Sequence, residues 1–322
     1  MMINRRTTLA CAAALVAGLQ AAPALADTWP SKPIRLVVPF SAGGANDLLA
    51  RAAAEGASRA LGQAIVVDNK PGAGAILGAD IVAKAAPDGY TFLVSAAGVV
   101  SNSMIRKVPY KDSDLVPVAM IGLAPSVIVV PANSPYKDLK DFVAESKKGA
   151  GFHFGTAGVG STPHFVEGLL TTKYGAKLDL VPYKSGSESV TAVLGNQLDA
   201  TSEASIVVLP YLKSGKLKAL ATTWTERISA YPQLPTAVEQ GFPEIRIAHW
   251  AGVHAPAGTP NDILEKMAVA VDKAMKDPAT IERLRGMGIE PIGGTRASFI
   301  KFVDEERARL GSVVKATGMK DD

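Results

Sequence analysis

The sequence predicts an α/β fold of two similar lobes, built on mostly parallel sheets and separated by a cleft. Three observations predict it. Short β-branched strands alternate with longer Ala-rich helical stretches from Lys32 onward. A strand, a small Ser/Thr-Ala-Gly loop and a helix at 34–49 (IRLVVPFSAGGANDLL) return about 115 residues later at 152–169 (FHFGTAGVGSTPHFVEGL). The chain has 322 residues, enough for two cores at the ~100 to 200 residues usual per domain.

The first 26 residues read as a secretory signal: Arg5 and Arg6, an apolar run over 9–25, then the A-x-A cleavage site Ala24-Leu25-Ala26. Cleavage after Ala26 leaves an exported chain that starts at Asp27. The Arg5-Arg6 pair resembles a twin-arginine signal, but Thr8 stands where such signals usually carry a bulky apolar residue, so both export routes stay open. The only cysteine, Cys11, goes with the signal, which excludes a disulfide, a thiol nucleophile and a Cys-ligated metal in the mature chain. Removing two arginines takes the net charge from +4 to +2, with the basic residues scattered, which excludes a nucleic-acid footprint.

In order, strands are expected at 34–40, 64–68, 91–95, 116–121, 126–131, 151–155, 178–182, 216–221 and 249–255. Helices are expected at 46–61, 74–85, 139–148, 162–174 and 187–196. Beyond the last strand, Thr259-Pro260-Asn261-Asp262 opens a helix, Asp277-Pro278 supplies an N-cap followed by proline in the first turn, and 296–316 reads as a closing helix. The repeat sets Ser41-Ala42-Gly43 opposite Thr156-Ala157-Gly158. It also divides the chain: lobe one over 27–124 plus 248–322 and lobe two over 125–247, with crossings near Ala124 and between 225 and 247.

Gly-rich strand-to-helix turns leave backbone N–H groups free at a helix N-terminus, where the peptide dipoles favour an anion. Two such turns in two similar halves suggest a cleft that grips a small anion from both sides. The first turn has no G-x-x-x-x-G-K-[ST] pattern, so a carboxylate fits better than a phosphate. Gly72-x-Gly74-x-x-x-Gly78 has the wrong spacing for a dinucleotide fingerprint and reads as a tight turn beside the cleft. Ser161 and His164, at i and i+3, admit a hydrolase reading, but Ser161 lacks the G-x-S-x-G elbow and reads as a helix cap. His153, His164, His249 and His254 show no metal-ligand spacing, and no cofactor is expected; His249-Trp250 reads as core. Lys184 follows Val181-Pro182-Tyr183, where a strand should end at the cleft. Glu188 and Glu203 lie in segments that face either the cleft or solvent; a cleft-facing Glu203 would repel a second ligand carboxylate.

Several segments in fixed order then carry a resemblance: WPSKPIRLVVPFSAGGANDLLAR, LGQAIVVDNKPGAGAILGADIVAKAAPDGYTFLV, FGTAGVGSTPHF, VPYK, YPQLPTAVEQGFP, HWAGVHAPAGTP and ERARLGSVVKATG. Over nearly all of the mature chain the sequence resembles the tripartite tricarboxylate transporter substrate-binding proteins, the Bordetella uptake gene or Bug family. The resemblance implies a bilobal periplasmic binding protein fold of type II. It also implies a small carboxylate ligand, held largely by backbone amides and ordered waters, and delivery to an integral-membrane permease of one large and one small subunit. It implies a non-enzymatic receptor, which is expected to be a monomer; a ligand sensor acting on a sensor kinase is the alternative role. Carried over by position, the first-lobe contacts are Phe40, Ser41, Ala42, Gly43, Gly44, Asp47, Ser95 and Ala96. The second-lobe contacts are Thr156, Gly158, Gly160, Ser161, His164, Tyr183 and Lys184, with Glu203 added from the residues themselves. Ser185, Glu188, Asn196 and Ser202-Glu203 depart from the family pattern, so ligand identity is expected to turn on the second lobe.

Overall fold

The computed structural model describes residues 29–183 and 185–320. The export signal, its cleavage site, Cys11 and Lys184 lie outside the described residues. Among the described residues ten strands form one mixed sheet in the order β2-β1-β3-β9-β4-β7-β5-β6, with β10 and β8 also paired to β4. The strands are β1 (Ile34–Val38), β2 (Ile65–Asn69), β3 (Thr91–Ser95), β4 (Leu115–Pro131), β5 (Phe152–Thr156), β6 (Leu178–Pro182), β7 (Ala200–Ala204), β8 (Leu217–Thr222), β9 (Ala248–Pro256) and β10 (Glu290–Pro291). The helices are α1 (Ala45–Leu61), α2 (Ile76–Ala83), α3 (Ala97–Ile105), α4 (Leu139–Ser146), α5 (Thr162–Tyr174), α6 (Gly186–Leu194), α7 (Ser205–Lys213), α8 (Asn261–Met275), α9 (Pro278–Gly286) and α10 (Arg296–Thr317). Among the described residues no helix is long and apolar enough to cross a membrane.

Local chemistry accounts for most of these boundaries. β1 (IRLVV) is apolar except for the partly exposed Arg35 because it lies in the middle of a parallel trio, β2-β1-β3. α1 follows it and ends where Gly62 turns left-handed (φ 72°) and donates its N–H to the Ser58 carbonyl. Leu49, Ala50, Ala53 and Ala57 of α1 pack with Leu264, Met267, Val271 and Ala274 of α8 in one cluster. The small residues let the two helices approach so closely that a Cβ on Gly56 would stand 2.4 Å from the Cβ of Ala274. Asp277 and Thr295 cap α9 and α10 with their side chains, as the Asp-Pro step and the start of the closing helix had indicated.

The expectation of mostly parallel sheets is corrected: five of the nine described strand pairings are antiparallel. The cause is the 17-residue β4, which replaces the two strands expected at 116–121 and 126–131. Its first part pairs with β9 and its last part with β7 and β8, so it belongs to both halves of the sheet. Pro125, which has no N–H to donate, stands where β4 leaves β9 for its second set of partners. β7, β10, α3 and α7 have no counterpart in the sequence reading. β7 reads ATSEA, and its hydroxyls are satisfied only across the fold: Thr201 Oγ1 to the Gly155 carbonyl (2.8 Å) and Ser202 Oγ with Ser126 Oγ (2.7 Å).

The repeat is real but its register shifts. Gly43 (φ 83°) and Gly160 (φ 78°) occupy the same left-handed position, and the N-caps that follow, Gly44 (φ −77°, ψ 167°) and Ser161 (φ −75°, ψ 159°), share one conformation. The offset is therefore 117, and Ser41-Ala42-Gly43-Gly44 matches Gly158-Val159-Gly160-Ser161. Thr156 is the last residue of β5, whereas Ser41 lies beyond the end of β1, so that pair is not equivalent.

Candidate functional site

A cavity of about 600 Å³ lies between the two halves of the sheet. Four helix N-termini open onto it: α1 at Gly44–Asn46, α3 at Ala96–Gly98, α5 at Ser161–Pro163 and α6 at Ser185–Ser187. The turn at 71–75 forms a further wall. The N-caps of α1, α3 and α5 make no side-chain hydrogen bond to their own helices. Their first-turn N–H groups therefore present the positive ends of the helix dipoles to the cavity. Only α6 is capped, by Ser185 Oγ accepting from the Glu188 N–H. The described lining has no lysine or arginine; its one acid is Glu203.

Of the residues expected at the site, Phe40, Ser41, Ala42, Gly43, Gly44, Ala96, Gly160, Ser161 and Glu203 line the cavity. Ser161 corrects the cap reading, because its hydroxyl donates back to the Gly158 carbonyl (2.6 Å) and leaves α5 open. Of the remaining expected contacts, Lys184 lies outside the described residues and the others do not line the cavity. Asp47 is 1% exposed; its Oδ2 accepts the Gly43 N–H (2.9 Å) and Arg51 Nε (2.9 Å), and its Oδ1 accepts from Asn69 (2.8 Å). Burial by itself would raise this carboxyl, but the hydrogen bonds from Arg51, the Gly43 amide and Asn69, with the Arg51 charge, outweigh it and hold the group below the usual carboxylate range. His164 is its counterpart at the same offset: its Nδ1 accepts the Gly160 N–H (3.3 Å) as Asp47 accepts that of Gly43. An acceptor nitrogen must be unprotonated, and burial lowers this imidazole to about 4. Asp47 and His164 thus brace the two turns rather than reach into the cavity.

The other corrections have similar causes. Ser95 is fully buried with its hydroxyl on the Gly252 carbonyl (3.2 Å). Thr156 is fully buried and accepts the Gly158 N–H (3.3 Å). Gly158 supplies the carbonyl that holds Ser161, and Tyr183 packs on the cluster around Val127 and Val129 while its N–H joins the Thr156 carbonyl (2.8 Å). Ser161 Oγ and His164 Nδ1 are each engaged elsewhere, so they do not form the activated pair that a hydrolase needs.

His249, expected in the core, lines the cavity from β9 where that strand passes β4 at Ala124, whereas Trp250 borders the cavity but keeps its ring in the core as expected, 1% exposed against Phe299 and Phe302 with Nε1 donating to Glu306 Oε1 (3.1 Å). The signal was available in principle: both residues lie at the edge of the second expected crossing. His249 Nε2 lies 3.3 Å from Glu203 Oε1 without the alignment of a hydrogen bond. Burial lowers the His249 pKa and the Glu203 charge opposes that effect only in part, so the imidazole is neutral at neutral pH.

A protein-family model described as tripartite tricarboxylate transporter family receptor matches residues 49–319. The chain is 36% identical over 305 residues to protein BugT of Bordetella pertussis, covering 93% of this chain and 94% of BugT. Its structure is similar to that of Rpa4515 from R. palustris with adipate, at a TM-score of 0.83 and 30% identity, covering 91% of this chain and 99% of that one. It is similar also to MatC from Rhodopseudomonas palustris with bound malate, at a TM-score of 0.79 and 30% identity, covering 89% and 100%. Two halves around a cleft of open helix ends, a family model spanning most of the chain and a relative matched nearly end to end agree: the chain belongs to the tripartite tricarboxylate transporter receptor family, among its Bug proteins, as a solute receptor of bilobal type II fold and not an enzyme.

Proposed function

We propose that the chain is exported, cleaved after Ala26, and acts in the periplasm as a monomer that captures a small mono- or dicarboxylate. It delivers this cargo to an integral-membrane permease of one large and one small subunit. The observation that carries the reading is the convergence of four helix N-termini on a cleft whose described lining has no basic side chain. Each helix end favours an anion by about 0.3–1 kcal/mol, and up to about 2 kcal/mol when partly buried. Hydrogen bonds to a charged group add about 1.5–3 kcal/mol each. A few such contacts, after ordering costs, suffice for the roughly −8 kcal/mol of micromolar affinity.

The ligand carboxylate is assigned to the turns at 41–44 and 159–161, beside Ala96 and the start of α3. Asp47, Thr156 and His164 hold those turns in shape. The lobes, 27–124 plus 248–322 against 125–247, close by bending where β4 near Ala124 and the segment between 225 and 247 pass between them. The adipate and malate of the two similar structures support a carboxylate as cargo.

A thermal-shift screen of the purified protein tests this against aliphatic and aromatic mono-, di- and tricarboxylates, amino-carboxylates, sugars and nucleotides. A ligand at 100 times its dissociation constant adds about 2.7 kcal/mol of stability. The expected result is a shift with at least one carboxylate; a shift with a sugar or nucleotide and with no carboxylate overturns the reading.

A further inference from the structure

We propose that Glu203 is a specificity-determining residue that receives a protonated amine, so that the cargo is an amino-carboxylate lying across the cleft. Its carboxylate meets the open ends of α1, α3 and α5, and its ammonium meets Glu203. The inference rests on the carboxylate reading above and deepens it.

Glu203 is 6% exposed yet lines the cavity, at the penultimate position of β7. The strand is pinned on either side of it. Thr201 and Ser202 are tied by hydroxyl hydrogen bonds to Gly155 and Ser126, and Oε1 accepts the N–H of the next residue, Ala204 (2.7 Å). Among the described residues Oε2 makes no hydrogen bond. It lies against Gly186, the first residue of α6, so closely that a Cβ there would stand 1.4 Å from it. The side chain thus occupies the end of the cleft at which a second ligand carboxylate would otherwise meet α6. Its own negative charge turns that end from an anion site into a cation site.

A carboxylate this buried is costly unless it is paired. The Ala204 amide and the positive end of α6 meet part of the charge. The one imidazole in contact, His249, is neutral at neutral pH, and no lysine or arginine stands in the described lining. A ligand ammonium completes the pairing with a charge-assisted hydrogen bond. Both ends of an amino-carboxylate are then met, whereas a dicarboxylate of the same length sets like charges together.

The test is calorimetry on the purified protein and on Glu203→Gln with length-matched ligands: 4-aminobutanoate and 6-aminohexanoate, succinate and adipate, and butanoate and hexanoate as uncharged-end references. In the unaltered protein the expected order places an amino-carboxylate at least tenfold ahead of its matched dicarboxylate. In Glu203→Gln that ratio falls at least tenfold, through weaker amino-carboxylate and stronger dicarboxylate binding. Equal or preferential binding of the dicarboxylates by the unaltered protein overturns the role of Glu203 while leaving the carboxylate reading intact, and it does so even if Glu203→Gln fails to fold. A Glu203→Gln protein that is less thermostable but keeps the ratio reduces Glu203 to an internal cap for α6 and α7, and also overturns it. Binding of none of the six ligands, with a sugar or nucleotide bound instead, removes both readings together.

Discussion

Asp47 and His164 show how a single side chain can shape a turn on the cleft from behind its lining. Each accepts the amide of the left-handed glycine four residues before it, and so holds the preceding turn with its remaining amides facing the cleft. One half uses a carboxylate held in its charged form, the other a neutral imidazole. Their types and spacing were legible in the sequence as a site; their direction was not, because only the packed loop decides which way a side chain four residues into a turn points. The imidazoles also make stability depend on pH. His164 and His254 are held at about 4 and about 3 by burial, with the Arg307 charge adding to the effect on His254. Both are neutral in the folded chain and take up a proton on unfolding once the pH drops below about 6.5. Stability therefore falls as the pH falls through the window between 6.5 and those values. Each group contributes a loss of about 2 kcal/mol between pH 7.5 and 5.0. Urea midpoints at the two pH values should converge in His164→Gln and His254→Gln; an unchanged pH slope would show that neither imidazole is neutral in the fold.

Among the elements, the helix starts carry the chemistry. Most helices gain about 1 kcal/mol from a side-chain cap, and α4, α9 and α10 have one. α1 begins at a glycine, α3 at an alanine, and α5 at a serine whose hydroxyl is turned away, so three helices on the cleft forgo that gain. The open ends are explained if a ligand anion supplies the missing acceptor. Ser161→Asp tests this directly, since aspartate at the N-cap accepts the same N–H groups. The expected outcome is a gain of about 0.5–1 kcal/mol in stability, with carboxylate affinity at least tenfold weaker. Undiminished affinity would remove α5 from the site. The sequence showed these starts well, through Gly, Ser, Asp and Pro at the right offsets. It did not show β7 or α7, because ATSEA and SIVVLPYLK carry the wrong local preferences: alanines and a glutamate in the first, β-branched residues and Pro210 in the second. Tertiary partners outweigh them.

For the molecule as a whole, the two halves are joined by a strand, a helix and a rim. β4 pairs into both parts of the sheet, and α10 packs on α3 of one half and α5 of the other, where Thr317 fills the space that Gly168 leaves. Across the cleft mouth, Arg106 at the end of α3 donates to the Val159 carbonyl (2.7 Å), and Ile105 reaches Gly160 so closely that a Cβ there would stand 2.9 Å from it. These contacts tie the two sides of the cleft together at its mouth. Truncating Arg106 to alanine should favour the open form. The expected result is a larger radius of gyration by small-angle scattering without ligand, recovery of the compact value with saturating carboxylate, and faster ligand release. Identical scattering from the two unliganded proteins would mean that the rim contact does not bear on closure.

Alternating strand and helix periods, glycines at left-handed turns, capping residues and motifs in fixed order determined the α/β class, the family and the two loops that face the cleft. These are properties of neighbouring residues, set by backbone sterics and by hydrogen bonds that span only a few positions. What only the tertiary structure decided is non-local. It decided that β4 runs unbroken through both halves, that the repeat registers at 117, and that Asp47 and His164 turn inward while Glu203 and His249 line the cavity. Those outcomes depend on which strand lies beside which, because strand pairing chooses the face a residue presents, and on hydroxyl and carboxylate partners that come from distant parts of the chain.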